Sequence, residues 1–370
     1  MAAAQNKVKL FENVLNQEII SLEEIKKLCF SGCPEEASIR ATCWKLLLNY
    51  IPPETADWKS HLKKQRESYA KFIDELVQNS VENDNDSSTK DHPLNTNPQS
   101  DWNQYFKDNE MLCQIDRDCR RLSPGLAFYQ YETKYPYGKI FKSNHETNPL
   151  RKRLAGIALS AEEIHTNKVG TFQKNKEIKK KAPEQLSDGE EYHWEVVERI
   201  LFVYTKLNKG QGYVQGMNEV IGPLYYTFAT DPDQSGQENA EADTFWCFMN
   251  LMSEVRDNFI KSLDESKVGI THKMQQVMEV LEKIDTPLYI YLTKNLEVKP
   301  QYFCFRWITV LLTQEFDLPN VVRIWDSLLS HEKRFDFLIY ICCAMLKLIR
   351  GDILKKDFTA ALKTLQVRLY

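Results

Sequence analysis

Apolar positions recur along this chain every three to four residues, in blocks separated by polar tracts, which is the spacing of amphipathic helices rather than of strands. Val8, Phe11, Val14 and Leu15 begin one stripe, and Leu22, Ile25 and Leu28 continue it until Gly32 and Pro34 stop it. Residues 35–51 carry another, with Ile39, Trp44, Leu47 and Leu48 on one side and Pro52-Pro53 as the stop, and Leu62, Tyr69, Phe72, Ile73 and Leu76 make the next. Later stripes run through Trp194, Val197, Leu201, Tyr204 and Leu207, through Phe245 to Phe259, and through Met274 to Ile284. Others cover 303–316, 321–329 and 335–350. Asn208-Lys209-Gly210 reads as a helix C-terminus. With neither a hairpin signal nor a fixed-period repeat, the pattern predicts an all-α protein of a dozen or more helices.

Two tracts break the pattern. Residues 79–104 are polar and contain two prolines, too few apolar groups to offset the entropy of ordering, and read as a loop. Residues 165–191 form a second polar insertion holding the lysine-rich run 175–181, which fits a solvated loop, an acidic lipid surface or an import receptor.

Composition narrows the field. The chain has 370 residues, 42% hydrophobic, enough for one large domain or two ordinary ones. Its 13 glycines are about half the usual ~7% share, against glycine-dense nucleotide folds. Lysine and arginine total 48 against 52 acidic residues, a net charge of −4, which removes the electrostatic footprint of a nucleic-acid binder. Nine cysteines without a CxxC pair predict free thiols and a reducing, cytoplasmic setting. The start lacks a secretory pattern, and the most apolar stretch, 337–349, is short of the ~20 residues a bilayer span needs.

Metal, nucleophile and nucleotide templates fail: there is no HExxH, GxSxG or GxxxxGK[ST], and the glycine run 210–216 has GxGxxxG spacing with no strand before it. Two short segments remain. On a helix, Ile115, Cys119 and Leu122 face inward while Asp116 with Arg120 and Asp118 with Arg121 form ion pairs, and Pro124 stops the helix just beyond Arg121. Tyr213-Val214-Gln215-Gly216-Met217-Asn218 is a glycine-flanked loop in which Asn218 is a candidate cap for the next helix. Taken singly, the first also fits an ordinary charged helix face and the second an ordinary helix-to-helix turn.

Together they resemble the TBC-domain family of Rab GTPase-activating proteins, through IxxDxxR at Ile115, Asp118 and Arg121 and YxQG at Tyr213, Gln215 and Gly216. Further matching blocks are Ser31 to Pro34 with Arg40 and Trp44, then Arg306-Trp307, Gln314 to Phe316 and Arg323 to Asp326. Where the family often has threonine after the arginine, this chain has Leu122. The resemblance implies an all-α, V-shaped domain over 31–350 with insertions at 79–104 and 165–191. An N-terminal helical segment, 1–30, would pack on it, and a shortened C-terminal helix would follow over 351–370. It implies that Arg121 is an arginine finger and Gln215 a glutamine finger, both catalytic in trans on a Rab small GTPase. Asp118 would orient Arg121, while Tyr213, Gly216 and Asn218 would shape the loop. The chain would then be no enzyme by itself, with no metal or cofactor of its own: the Rab partner carries GTP and magnesium. It would be a cytoplasmic monomer in vesicle-mediated transport, with no nucleic-acid partner, meeting membranes only through the Rab. A non-catalytic Rab-binding effector and a helical scaffold remain alternatives at this point.

Overall fold

A computed structural model of the chain describes residues 2–78, 101–141, 148–168, 187, 189–260 and 269–367. Among the described residues there is no strand: Ile19 with Glu54 and Glu132 with Tyr192 make isolated bridges, and the rest is helix, turn and loop, the expected all-α class. In chain order come α1 (Ala2–Leu15), α2 (Leu22–Phe30), α3 (Ile39–Leu47) and α4 (Trp58–Ile73), then α5 (Asp101–Cys119), α6 (Tyr137–Phe141), α7 (Pro149–Lys168) and α8 (His193–Leu207). They are followed by α9 (Met217–Ala229), α10 (Gln234–Glu238), α11 (Ala240–Val255), α12 (Ile270–Ile284) and α13 (Thr286–Ile290). The last are α14 (Cys304–Thr309), α15 (Leu318–Ser330), α16 (Arg334–Leu348), α17 (Arg350–Ile353) and α18 (Phe358–Gln366). None is long and apolar enough to cross a membrane.

The sequence stripes found their helices, with instructive differences. α3 starts at Ile39 rather than near residue 35, because Ala37 and Ser38 take positive φ (54° and 55°). The expected helix over 303–316 stops at Thr309: Leu311 and Leu312 turn left-handed (φ 52° and 66°), a conformation unfavourable for side-chain-bearing residues. Tertiary bonds support that turn, since Trp325 Nε1 donates to the Leu311 carbonyl at 3.0 Å and Arg306 forks onto Glu315 at 2.6 and 2.9 Å. Residues 101–104, expected in a loop, open α5, and 165–168 close α7. Most of both expected insertions, including the lysine-rich run, lies outside the described residues. The C-terminal segment divides into α17 and α18, where Asp357 caps the Ala360 N–H.

The chain packs as two compact units, Met1–Arg66 with Glu219–Tyr370, and Glu67–Asn218. In the first, α15 lies against α2, α3 and α16, and α12 against α13, α14 and α16. Its core is built on Trp44, Trp307 and Trp325, all fully buried, with Trp44 and Trp325 ring centroids 5.9 Å apart. Two buried carboxylates organise this core. Asp326 accepts from Trp44 Nε1 and from the Cys33 backbone N–H, both at 2.8 Å, and from Arg40 Nε at 3.2 Å. Asp243 accepts from Tyr50 Oη at 2.8 Å and from both arms of Arg66 at 2.9 and 2.8 Å, and pairs with Lys45 at 2.6 Å. Burial pushes the Asp243 carboxyl up, but Lys45 and Arg66 pull harder and hold it below its usual value.

In the second unit α5 packs on α8. Leu112, Ile115 and Cys119 on α5 and Val197, Ile200 and Leu201 on α8 are inaccessible to solvent. Glu191 joins remote segments here as well: it pairs with Arg199, accepts from the Tyr137 backbone N–H at 3.0 Å and from Asn148 Nδ2 at 2.7 Å. At the start of α8 the His193 ring stacks on Phe128, centroids 4.1 Å apart, and burial lowers its pKa to about 4.

Two stability predictions follow from these groups. Asp243→Asn leaves Lys45 and Arg66 without their counter-charge, so a urea titration should show a loss of roughly 3–5 kcal/mol; a loss near zero would remove Asp243 as an organiser of the core. His193 takes up its proton in the unfolded chain near pH 6.5 but in the folded one only near pH 4, so stability falls as pH drops through that window. The expected cost is about 2 kcal/mol at pH 5 relative to pH 7.5, and it should disappear from the same comparison in His193→Gln.

Candidate functional site

The two segments picked out by the sequence meet within the second unit. α5 carries Leu112, Ile115 and Cys119 inward at helical spacing, which leaves Asp116 and Arg120 on a wetter face, and Asp118 beside the inward stripe. The helix ends at Cys119, two residues earlier than the sequence suggests, so Arg120 and Arg121 stand in the turn that follows, with Leu122 buried beneath. Ser123 takes a positive φ of 44° and its carbonyl accepts from the Leu126 N–H at 2.8 Å, closing the turn before Pro124 is needed to stop the helix.

Arg121 is 68% exposed, yet its guanidinium is held on two sides: Nη2 donates to Asp118 Oδ1 at 2.6 Å and Nε to the Arg117 carbonyl at 3.0 Å. Asp118, by contrast, is 6% exposed. Its second oxygen accepts from Tyr213 Oη at 2.9 Å, and its backbone carbonyl accepts from Asn218 Nδ2 at 3.2 Å. One residue at the end of α5 thus fixes the arginine and both ends of the loop 213–218. A carboxylate shared between a guanidinium and a phenol in a dry setting makes charge-assisted bonds, stronger than neutral ones.

The loop itself leaves α8 at Leu207, where Asn208 Nδ2 returns to the Tyr204 carbonyl at 2.8 Å. The left-handed residue that reverses the chain is Gly212 (φ 69°) rather than Gly210, and Gly216 (φ 104°) makes the second reversal into α9. Asn218 acts on the helix start from inside it, at the second position of α9, where its Oδ1 accepts from the Gly216 N–H at 3.3 Å. Gln215 lies between the two reversals, exposed, and its side chain has no hydrogen-bond partner among the described residues. Of the six residues singled out in the sequence, Asp118, Arg121, Tyr213, Gly216 and Asn218 are joined by hydrogen bonds, and Gln215 stands exposed in the loop they hold.

Sequence reasoning missed the second support of the arginine turn. Arg120 lies over the Trp194 ring at 4.3 Å, donates from Nε to both carboxylate oxygens of Asp116 at 2.8 and 2.9 Å, and has its carbonyl tied by Gln130 Nε2 at 3.1 Å. The i,i+4 pair was legible, but the stacking on Trp194 joins residues too far apart in sequence to signal it. Behind it, Glu198 is buried with Oε1 unpartnered, and burial pushes its carboxyl well above the usual range. The site offers no cluster of metal-ligating side chains among the described residues.

Comparison with known proteins gives a consistent family. The Rab-GTPase-TBC domain model matches residues 143–354. Human TBC1 domain family member 13 is 50% identical over 98% of this chain and 94% of its own length. The Schizosaccharomyces pombe TBC domain-containing protein C1952.17c is 33% identical over 98% of this chain and 70% of its own. Among solved structures, the Ypt/Rab-GAP domain of Gyp1p superposes with a TM-score of 0.67, covering 99% of this chain and 92% of that one at 22% identity, which supports the fold.

Removing one donor from Asp118 tests the network directly. Tyr213→Phe should cost about 1 kcal/mol in a urea titration, and the combined Tyr213→Phe, Asn218→Ala variant should cost less or more than the sum of its parts by at least ~0.5 kcal/mol, because both bond Asp118 and Tyr213 Oη also reaches Asn218 Oδ1 at 3.4 Å. Strict additivity would mean that Asp118 does not couple the two.

Proposed function

Because the chain belongs to the Rab-GTPase-TBC domain family, we propose that it is a GTPase-activating protein that accelerates GTP hydrolysis on a Rab-family small GTPase, with Arg121 as its arginine finger and Gln215 as its glutamine finger. The observation that carries this reading is the hydrogen-bonding of Asp118. The family match begins at residue 143, after Arg121, but Asp118 binds Arg121 on one side and Tyr213 and Asn218, inside the matched region, on the other. One buried side chain thus holds the arginine and anchors the loop that carries the glutamine, which supports the reading.

Each side chain suits its part. Hydrolysis places developing negative charge on oxygens between the phosphates, and a guanidinium brought in from outside and desolvated there stabilises it by roughly 10³ to 10⁵ in rate, or about 4 to 7 kcal/mol. Asp118 keeps the fork of Arg121 aimed before the partner arrives, so less rotamer freedom is lost on docking. Gln215 accepts a hydrogen bond from the attacking water through its carbonyl and donates from its amide to a phosphate oxygen, orienting the nucleophile without taking its proton. On this reading GTP and magnesium arrive with the Rab, and this chain needs no nucleotide site; its cellular role is in vesicle transport, acting from the cytoplasm on membrane-bound Rabs.

A hydrolysis screen over a broad panel of purified Rabs tests the proposal. The wild type should accelerate at least one of them, Arg121→Ala should lose about 10³-fold or more of that acceleration, and Gln215→Ala should lose most of it. Arg121→Lys keeps the charge without the planar fork, and should retain capture of the Rab by GDP with aluminium fluoride poorly and acceleration hardly at all. Equal rates for wild type and Arg121→Ala, or no acceleration of any Rab, would overturn it.

A further inference from the structure

Three cysteines spaced Cys-x3-Cys-x9-Cys meet in the core of the first unit. Cys29 lies in the last turn of α2 and Cys43 within α3. Between them Gly32, at φ 97°, donates its N–H to the Cys29 carbonyl at 2.7 Å and reverses the chain, which returns Cys33 over Cys29. At that φ a residue with a side chain would be strained, and its Cβ would displace Arg323, whose Nε would lie 2.6 Å away. The three sulfurs all lie within 4.8 Å of one another, and the residues are 0%, 6% and 0% exposed.

The surroundings hold this arrangement in place. The Cys33 N–H donates to Asp326 at 2.8 Å and its carbonyl accepts from Arg40 Nη2 at 2.7 Å, so its backbone is pinned on both sides. α3 is pinned to the same carboxylate through Trp44 Nε1. Sulfurs fixed by bonds that do not involve the sulfurs are preorganised, and a ligand that binds them pays little ordering entropy. Single buried thiols such as Cys247 fill space as small apolar groups, but three converging on a common point present the donor set of a soft metal ion.

We propose that Cys29, Cys33 and Cys43 form a thiolate site for a thiophilic d10 cation, Cu(I) or Zn(II). Metal–sulfur bonds of about 2.3 Å around one ion place the sulfurs up to about 4 Å apart, so the cluster needs to contract by less than about 1 Å. Three metal–sulfur bonds form as three S–H protons leave to solvent, with no oxidant or reductant involved. Asp326 is engaged by Trp44, Arg40 and the Cys33 N–H and supplies no fourth ligand. Three-coordination suits Cu(I), whereas a structural Zn(II) site is ordinarily closed by four. Because the S–H protons leave as the metal–sulfur bonds form, uptake should weaken as pH falls.

The full chain, purified reduced and without chelators, is incubated anaerobically with Cu(I) or with Zn(II), desalted, and its metal counted by mass spectrometry; Co(II) reports separately through sulfur-to-metal charge-transfer absorption. About one equivalent of Cu(I) or Zn(II) should remain on the wild type and on Cys247→Ser, and the metal retained more tightly identifies the ion. Folded Cys33→Ser should hold metal at least ~10-fold more weakly. If serine unfolds the chain, the wild-type stoichiometry and Co(II) spectrum decide alone. A wild type that retains neither metal and shows no charge-transfer band, or a folded Cys33→Ser that retains as much as the wild type, overturns the proposal.

Discussion

A carboxylate almost closed to water governs what this protein can present to water. Asp118 sits at the end of α5, and its oxygens and carbonyl are taken by Arg121, by Tyr213 and by Asn218. Two of those partners are 95 and 100 residues away in sequence, so the bonds fix the relative position of segments that no local rule relates. Burial matters twice. It strengthens the bonds by removing competing water, and it makes an unfilled lone pair costly, so the network favours being complete over being partly formed. The exposed ends of Arg121 and Gln215 inherit their placement from it.

The other unit uses the same device with different residues. With no sheet among the described residues, there are no backbone ladders to tie remote segments there, and helices packed through apolar stripes can slide or rotate against one another. Asp326 fixes the register of α15 on the segment 33–44, and Asp243 fixes α11 against Lys45, Tyr50 and Arg66. In each case a fully buried acid receives donors from several directions, and its charge is balanced by one or more basic groups at its side. Asp326 also sets the stage for the three thiols, because the residues it grips are those that flank them.

The legible part of this protein is the part written in local periodicity. Helix stripes are a chemical pattern within a single segment, and so are the Asp116–Arg120 and Asp118–Arg121 pairs, at spacings of four and three. The illegible part depends on contacts that cross the chain. Nothing in Leu311-Leu312 predicts two left-handed residues; Trp325 and the Arg306–Glu315 fork, which come later or arrive from one side, make that turn. Ala37 and Ser38 are similar cases. For the site, motif resemblance named the six residues, but only coordinates reveal that Asp118 is the point at which they join. Nine cysteines without a CxxC pair predict free thiols and no cluster, because the three meet only once Gly32 has reversed the chain.

The division between exposed tips and buried support also sets how this protein can change over generations. Gln215 is exposed and has no side-chain partner among the described residues, so its substitution leaves the fold undisturbed, whereas loss of Arg121 takes a donor from buried Asp118. Asp118 and its partners offer no such freedom, since loss there disturbs the fold along with the site. If Gln215 acts as proposed, a lineage can shed that tip in one step and keep an intact surface, turning an activator into a silent competitor for the same partner, while the reverse step needs only the tip restored.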